Sequence, residues 1–397
     1  MGFFRQLSPS ESLYIAQDTE AFSPFVNQFI VEGKGKLDPE KWRQAVDIVS
    51  QKNPGLSLKL KGISGWRYWD KEGAAPEVLT IASDWDGICS EDAPDFSPSI
   101  NPRRDPVASI TLISGETSHI VFRTHHAITD GMGLLHWMKE VFRALRNETL
   151  IGAPGTKTET DLPADVMEKR TVTPIQWRDC LTIAPISQTP EATGYGWHRF
   201  HWEGSRYMIL SKLLLALSQV AWDFHGEGKI AFRIPSDLRS YLDKEEPYST
   251  ANLAGVIDFE VTPSDTVKSI QMKMGKIKKQ YGDLKLTPKW IKLLNWMPSK
   301  ILKFPTKKNA ERHKTGRYCA TANVSHLGHF EAETYSTDDF TATDIFAVPI
   351  ALDSRSFLTI FTTETGLSAT VGMPKALGQN GIMKEVCEKI VHKLNEI

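Results

Sequence analysis

Apolar side chains recur along this chain in two rhythms, every second residue or every third to fourth, and the switches between them mark out its elements. Residues 25–31 are rich in aromatic and β-branched side chains and run on to Gly33, which predicts a strand. Asp38 followed by Pro39 then supplies an N-cap and a proline suited to the first helical position. Trp42, Ala45, Val46 and Val49 fall on one face of the helix so begun, and Asn53-Pro54-Gly55 ends it. Short strands are expected at residues 56–60 and 66–69. Residues 84–105, acidic and proline-rich without any period, predict a long surface connection. The clearest hairpin joins residues 107–113 to 119–124 through Ser114-Gly115-Glu116-Thr117. Its second strand runs into His125 and His126. Beyond them Leu134, Leu135, Met138, Val141, Phe142 and Leu145 predict a helix of about three turns.

From residue 147 to 193 prolines and glycines recur with no apolar period, as in a crossover between domains. A helix is expected over residues 205–224, a strand over 229–235, a turn at Ser236-Asp237-Leu238-Arg239, and a strand over 252–261. Further strands are expected near 318–324, 345–351, 357–363 and 367–372, before a closing helix that starts near Ile382. A chain of 397 residues exceeds what one core ordinarily holds, roughly 250–300 residues, so two domains are expected. Both halves mix helices with sheets. The fold class is therefore α/β, with residues 1–146 and 194–397 as the two domains and 147–193 as the linker.

Composition keeps the chain among soluble globular proteins, with 41% hydrophobic and 24% charged residues. The longest apolar stretch, residues 207–222, is broken by Ser211, Lys212, Ser218 and Gln219 and reads as a buried helix, not a membrane span. The first eight residues lack the apolar core of a signal peptide. Cys89, Cys180, Cys319 and Cys387 form no Cys-x-x-Cys pair that would suggest zinc or redox work, so a cytoplasmic setting is expected; a monomer without metal is expected as well. The net charge of −1 conceals a basic stretch over residues 268–317, which includes Lys303, Lys307, Lys308 and Arg312. A solvated helix face is its bland reading. Binding of an anionic donor is a second, and contact with an anionic membrane through Trp290, Trp296 and Phe304 is a third. No nucleic-acid motif accompanies it.

Chemistry concentrates in His125-His126-Ala127-Ile128-Thr129-Asp130-Gly131, between the hairpin and its helix. A lone histidine at a strand end is more often packed or solvated than catalytic. The full His-His-x-x-x-Asp-Gly spacing is different, since it arises by chance in roughly one chain in a thousand of this size. An imidazole, with its ordinary pKa near neutrality, suits a base that takes a proton from an attacking hydroxyl or amine. Gly131 and Gly133 allow a tight backbone and a close approach there. Asp130 has two readings from sequence, an orienting partner for the imidazole or a brace tied to an arginine.

Residues 125–131 match the signature of the superfamily with the chloramphenicol acetyltransferase fold, and the chain resembles its condensation-domain members. Leu7-Ser8-Pro9-Ser10-Glu11, Pro102-Arg103-Arg104-Asp105-Pro106 and Pro235-Ser236-Asp237-Leu238-Arg239 carry the resemblance along nearly the whole length. Two departures stand out. His326 occupies the asparagine position of the family's Ser-Asn-x-Gly element, here Ser325-His326-Leu327-Gly328, and the plant-type Asp-Phe-Gly-Trp-Gly element is absent.

The resemblance implies two similar domains set in a V with the active site at their junction. It implies His126 as general base, His125 as support for the loop, Asp130 as a structural residue and Arg239 as its salt-bridge partner. Gly131 would sit near the reacting centre, and Ser325 would donate to the intermediate. The implied reaction transfers an acyl group from an acyl-CoA or acyl-carrier-protein thioester to a hydroxyl or amine of a small hydrophobic metabolite. The thioester is a co-substrate, and no cofactor is held permanently. A free-standing peptide condensation enzyme, or a catalytically silent scaffold of the same shape, are the alternatives.

Overall fold

The computed structural model describes residues 2–17, 25–63, 66–96, 98–162, 179–185, 194–242, 248–281, 320–349, 356–378 and 381–397. The first half contains β1 (Phe3–Gln6), α1 (Pro9–Gln17), β2 (Val26–Gly35), α2 (Pro39–Lys52), β3 (Lys59–Lys61), β4 (Tyr68–Asp70), β5 (Glu77–Ala82), β6 (Ala108–Ser114), β7 (Ser118–His125) and α3 (Gly131–Leu145). The second contains β8 (Tyr195–Glu203), α4 (Ile209–His225), β9 (Ile230–Asp237), β10 (Ala254–Val261), α5 (Val267–Tyr281), β11 (Ala322–His329), β12 (Phe340–Val348), β13 (Ser356–Thr362), β14 (Gly366–Pro374) and α6 (Ile382–Glu396).

Local chemistry starts the helices where expected. The Asp38 side chain accepts from the Glu40 N–H at 3.0 Å, Pro39 opens α2, and Trp42, Ala45, Val46 and Val49 are its buried face. At α1 the Ser8 hydroxyl accepts from Glu11 N–H and the Glu11 carboxylate accepts from Ser8 N–H, a reciprocal cap that also binds the Arg5 guanidinium. That helix, β1, β5 and β8 were not among the expected elements. The turn expected at residues 236–239 is the end of β9 followed by a single 3-10 turn over Arg239–Tyr241. Leu56, expected to open a strand, closes a 3-10 turn before β3.

Two mixed sheets organise the molecule. One has the order β12-β2-β7-β6-β5, antiparallel except for β5 beside β6. The other has the order β10-β9-β11-β13-β14-β8, with β11 parallel to both its neighbours. Strand β12 thus crosses from the second half of the chain into the first sheet, beside β2. A small sheet, β1-β4-β3, stands apart. Helices α4 and α6 bury their apolar faces on the second sheet. None of the described helices is long and apolar enough to cross a membrane.

Both faces of β7 are buried, and this explains much of the packing. Ile120 and Phe122 face α2 and α3, where Phe122 lies against Trp42, Trp137 and Phe142. Val121 faces the other way, toward Ile30, Ile113 and Phe346. Residues 84–105 are irregular as expected, yet they are no mere surface connection, since Trp85 and Phe96 cover this second face together with Trp197 of β8. Arg199 of β8 ties the two sheets, pairing with Glu32 of β2 at 2.6 Å and with Asp344 of β12 while its guanidinium lies over Phe346. Phe122→Ala would open a cavity beneath α3 and cost about 3–5 kcal/mol of stability. Denaturant unfolding would show it, and a loss below about 1 kcal/mol would mean that the helices do not pack as described.

Candidate active site

Strand β7 ends at His125, and a short turn carries the chain to α3, so the histidine pair leaves a buried strand for the mouth of a helix. His125 is buried and shapes that turn, its Nδ1 accepting from the Ala127 N–H at 3.0 Å and its own N–H donating to the Val107 carbonyl at 2.9 Å. His126 is half-buried. The rings of Tyr14 and Phe25 lie against its imidazole, with centroids 4.5 and 5.2 Å away and planes inclined by 21°. Phe357 of β13 joins Tyr14 and Phe25 in one cluster, so both halves of the chain meet here.

The imidazole has a defined tautomer. Its Nδ1 lies 3.2 Å from the Thr129 carbonyl, which can only accept, so Nδ1 carries the proton and Nε2 keeps its lone pair. The same carbonyl accepts from Asn27 Nδ2 at 2.7 Å, which fixes it in place. Burial pushes the His126 pKa below the ordinary 6.5, favouring the neutral ring. Burial, with the Asp130 and Glu159 charges nearby, pushes the Tyr14 phenol up, so Tyr14 is a neutral wall.

Asp130 makes its bonds elsewhere. As the N-cap of α3 it accepts from the Gly133 N–H at 2.8 Å, and its other oxygen accepts from the Leu253 N–H at 2.7 Å. Arg239 donates to both oxygens, at 2.9 and 3.1 Å. The same guanidinium reaches the carbonyls of Ser249 and Ala251 at 2.8 Å each, and Asp237 at 2.8 Å. Desolvation works against the Arg239 charge, but Asp130 and Asp237 outweigh it and raise the pKa.

Gly131 and Gly133 are the first and third residues of α3, and not part of a loop as expected. Gly133 answers to space and not to backbone torsion. A Cβ there would stand 2.2 Å from Thr129 Oγ1 and 2.5 Å from the Thr250 carbonyl. Gly131 sits against Leu327 of β11, and its N–H has no partner among the described residues, at the positive end of the helix.

Segment 249–253 is a strap from the second half laid across the histidine loop. Sequence reasoning missed its key residue, Asn252, whose Nδ2 donates to the His126 carbonyl at 2.6 Å. No local pattern announces it, because the partner lies 126 positions away. Ser325 lies half-buried on β11, two residues before Leu327, and bonds to none of the other candidate residues. Lys303, Lys307, Lys308 and Arg312 lie outside the described residues, as do Trp290, Trp296 and Phe304. Among the described residues no cluster of His, Cys, Asp and Glu is placed to hold a metal ion.

Solved structures share this architecture along its whole length. The starter condensation domain of rhizomide synthetase RzmA, as a variant in complex with C8-CoA, superposes with a TM-score of 0.70 at 12% identity, covering 99% of this chain and 94% of that one. This chain has the condensation-domain fold. The first condensation domain of the calcium-dependent antibiotic synthetase, in complex with a substrate analogue, gives 0.68 at 13% identity, with 100% and 96% covered. The condensation domain of the Monacolin K polyketide synthase MokA gives 0.61 at 9% identity, with 100% and 97% covered. No family model and no curated protein sequence matches the chain. Within this fold the His126 imidazole of this chain is oriented by a backbone carbonyl, while the Asp130 carboxylate bonds to Arg239 and to the backbone of Gly133 and Leu253.

Asn252→Ala would leave the His126 carbonyl without its donor and cost about 1–2 kcal/mol. Denaturant unfolding would read it. An unchanged midpoint would mean that the strap does not hold the loop.

Proposed function

We propose that the protein is an acyltransferase that moves an acyl group from a CoA or carrier-protein thioester to a hydroxyl or amine of a small molecule. The observation that carries this reading is the His126 tautomer, with Nδ1–H committed to the Thr129 carbonyl and Nε2 left as the basic nitrogen. The C8-CoA bound in the RzmA starter domain supports the choice of donor.

In this reading His126 Nε2 accepts the proton of the attacking hydroxyl or amine as its oxygen or nitrogen bonds to the thioester carbonyl carbon. The carbonyl oxygen takes up negative charge beside the Gly131 N–H, and Ser325 is the second candidate donor. The C–S bond then breaks, and the departing sulfur takes the proton from His126. His125 and the Asp130–Arg239 pair hold the loop and touch no reacting atom. The two lobes are residues 1–146 and 194–397, joined by 147–193, with β12 lent back to the first sheet.

A second reading has the same base forming an amide between two carrier-bound intermediates. The names of the structural neighbours favour it, since they are condensation domains of synthetases. Acyl-CoAs and acyl carrier proteins offered with mixed alcohols and amines, with products weighed by intact mass, separate the two readings. Use of free acyl-CoA supports the first, and exclusive use of carrier-bound substrates supports the second.

His126→Ala should lower thioester consumption by about 10²–10⁴-fold while the melting temperature stays within a few degrees. Near wild-type turnover would sink the assignment. Because the folded-state pKa of His126 is lowered, the neutral base survives to lower pH than a free histidine does. The acid limb of kcat/KM should therefore fall below pH 6.5. An acid limb centred above 6.5 would contradict this.

A further inference from the structure

Strand β5 is the edge of the first sheet, and the irregular segment 84–105 folds back over its end. Between them lies a cavity of about 420 Å³ that none of residues 125–133 lines. Leu79 and Ile81 of β5 and Phe96 of the covering segment give it apolar walls. The strand register puts Thr111 opposite Leu79 on one side and Val121 on the other, with Arg123 opposite Ser109. Thr111 and Arg123 therefore share one sheet face, as diagonal neighbours within reach of a common ligand.

Both are deeply buried, Arg123 at 3% exposure and Thr111 at 1%. Neither is satisfied. Arg123 donates one Nη2 bond to the Pro98 carbonyl, its Nε has no hydrogen-bond partner, and no carboxylate pairs with it among the described residues. The Thr111 hydroxyl also has no partner. Burial pushes the guanidinium pKa down to about 10, which leaves it a cation at neutral pH. The charge of exposed Asp95 opposes that effect only in part and forms no ion pair with Arg123, and a buried cation so weakly compensated is unfavourable, since groups of this kind are ordinarily paired. Arg43 and Asp95 also line the cavity, but both are exposed, and Arg43 is already paired with Glu40. The buried polar end thus belongs to one positive charge and one hydroxyl.

We propose that this cavity is a second binding site, for a small amphipathic carboxylate. The carboxylate accepts from Arg123 and Thr111, and the apolar body lies along Leu79, Ile81 and Phe96. A single guanidinium neutralises a monoanion, whereas a phosphate dianion would leave a second charge between apolar walls. The site rests on none of the acyl-transfer reading.

Isothermal titration of the full chain with sodium octanoate and with sodium phenylacetate tests it, with 1-octanol as neutral twin and inorganic phosphate as competing anion. At least one of the two carboxylates should bind with one-to-one stoichiometry, and about tenfold or more weaker in Arg123→Met and in Thr111→Val. Octanol should show no saturable binding, and phosphate should not displace the carboxylate. Thr111→Val keeps the side-chain shape and removes an unpaired hydroxyl, so its melting temperature should hold even if Arg123→Met folds poorly. Binding of neither carboxylate, equal binding by wild type and Thr111→Val, or displacement by phosphate would each overturn the proposal.

Discussion

Four donors converge on the carboxylate of Asp130: the Gly133 and Leu253 N–H groups and two nitrogens of Arg239. That convergence is the constraint on which the rest of the site depends. One end of it starts α3 and so sets where the histidine turn must stop. The other end fastens the turn to segment 249–253 of the second half. Asp130 and Arg239 are only 4% and about one-tenth exposed, so removing Arg239 strands Asp130 as a buried charge and removing Asp130 leaves Arg239 only the more exposed Asp237, and the two halves are held in register by a cost and not by a preference.

The imidazole inherits its chemistry from this frame. With Asp130 fully engaged, the task of fixing the tautomer falls to the Thr129 carbonyl, which Asn27 in turn holds. A backbone carbonyl orients the ring without placing a full negative charge beside it. Burial by Tyr14 and Phe25 then dominates and lowers the pKa, where an adjacent carboxylate would have raised it. The result is an imidazole biased toward its neutral form. Gly133 belongs to the same design, since any side chain there would collide with Thr129 and with the strap.

What the sequence made legible follows from how local each signal is. The Asp38-Pro39 cap, the hairpin before His125 and the closing helix from Ile382 are set by neighbours within a few residues, and the structure has them. The Ser8–Glu11 cap was equally local and would have revealed α1. Strand β5 is short and half-exposed, with an alternation too brief to register. Trp85 and Phe96 lie in an acidic, proline-rich segment whose composition hides two core residues. The nearness of Asp130 to Arg239, 109 positions apart, came only through family resemblance. Asn252, half a molecule away from the carbonyl it holds, had no such signal.

The central claim is that the Asp130–Arg239 pair acts as a unit that braces the histidine turn. A double-mutant cycle over Asp130→Asn and Arg239→Met, read by denaturant unfolding, measures this directly. Each single change should cost about 3–5 kcal/mol, and the double variant should cost less than their sum by at least about 1.5 kcal/mol, because it strands no buried charge. Additive losses, or single variants as stable as wild type, would show that the pair is not the brace.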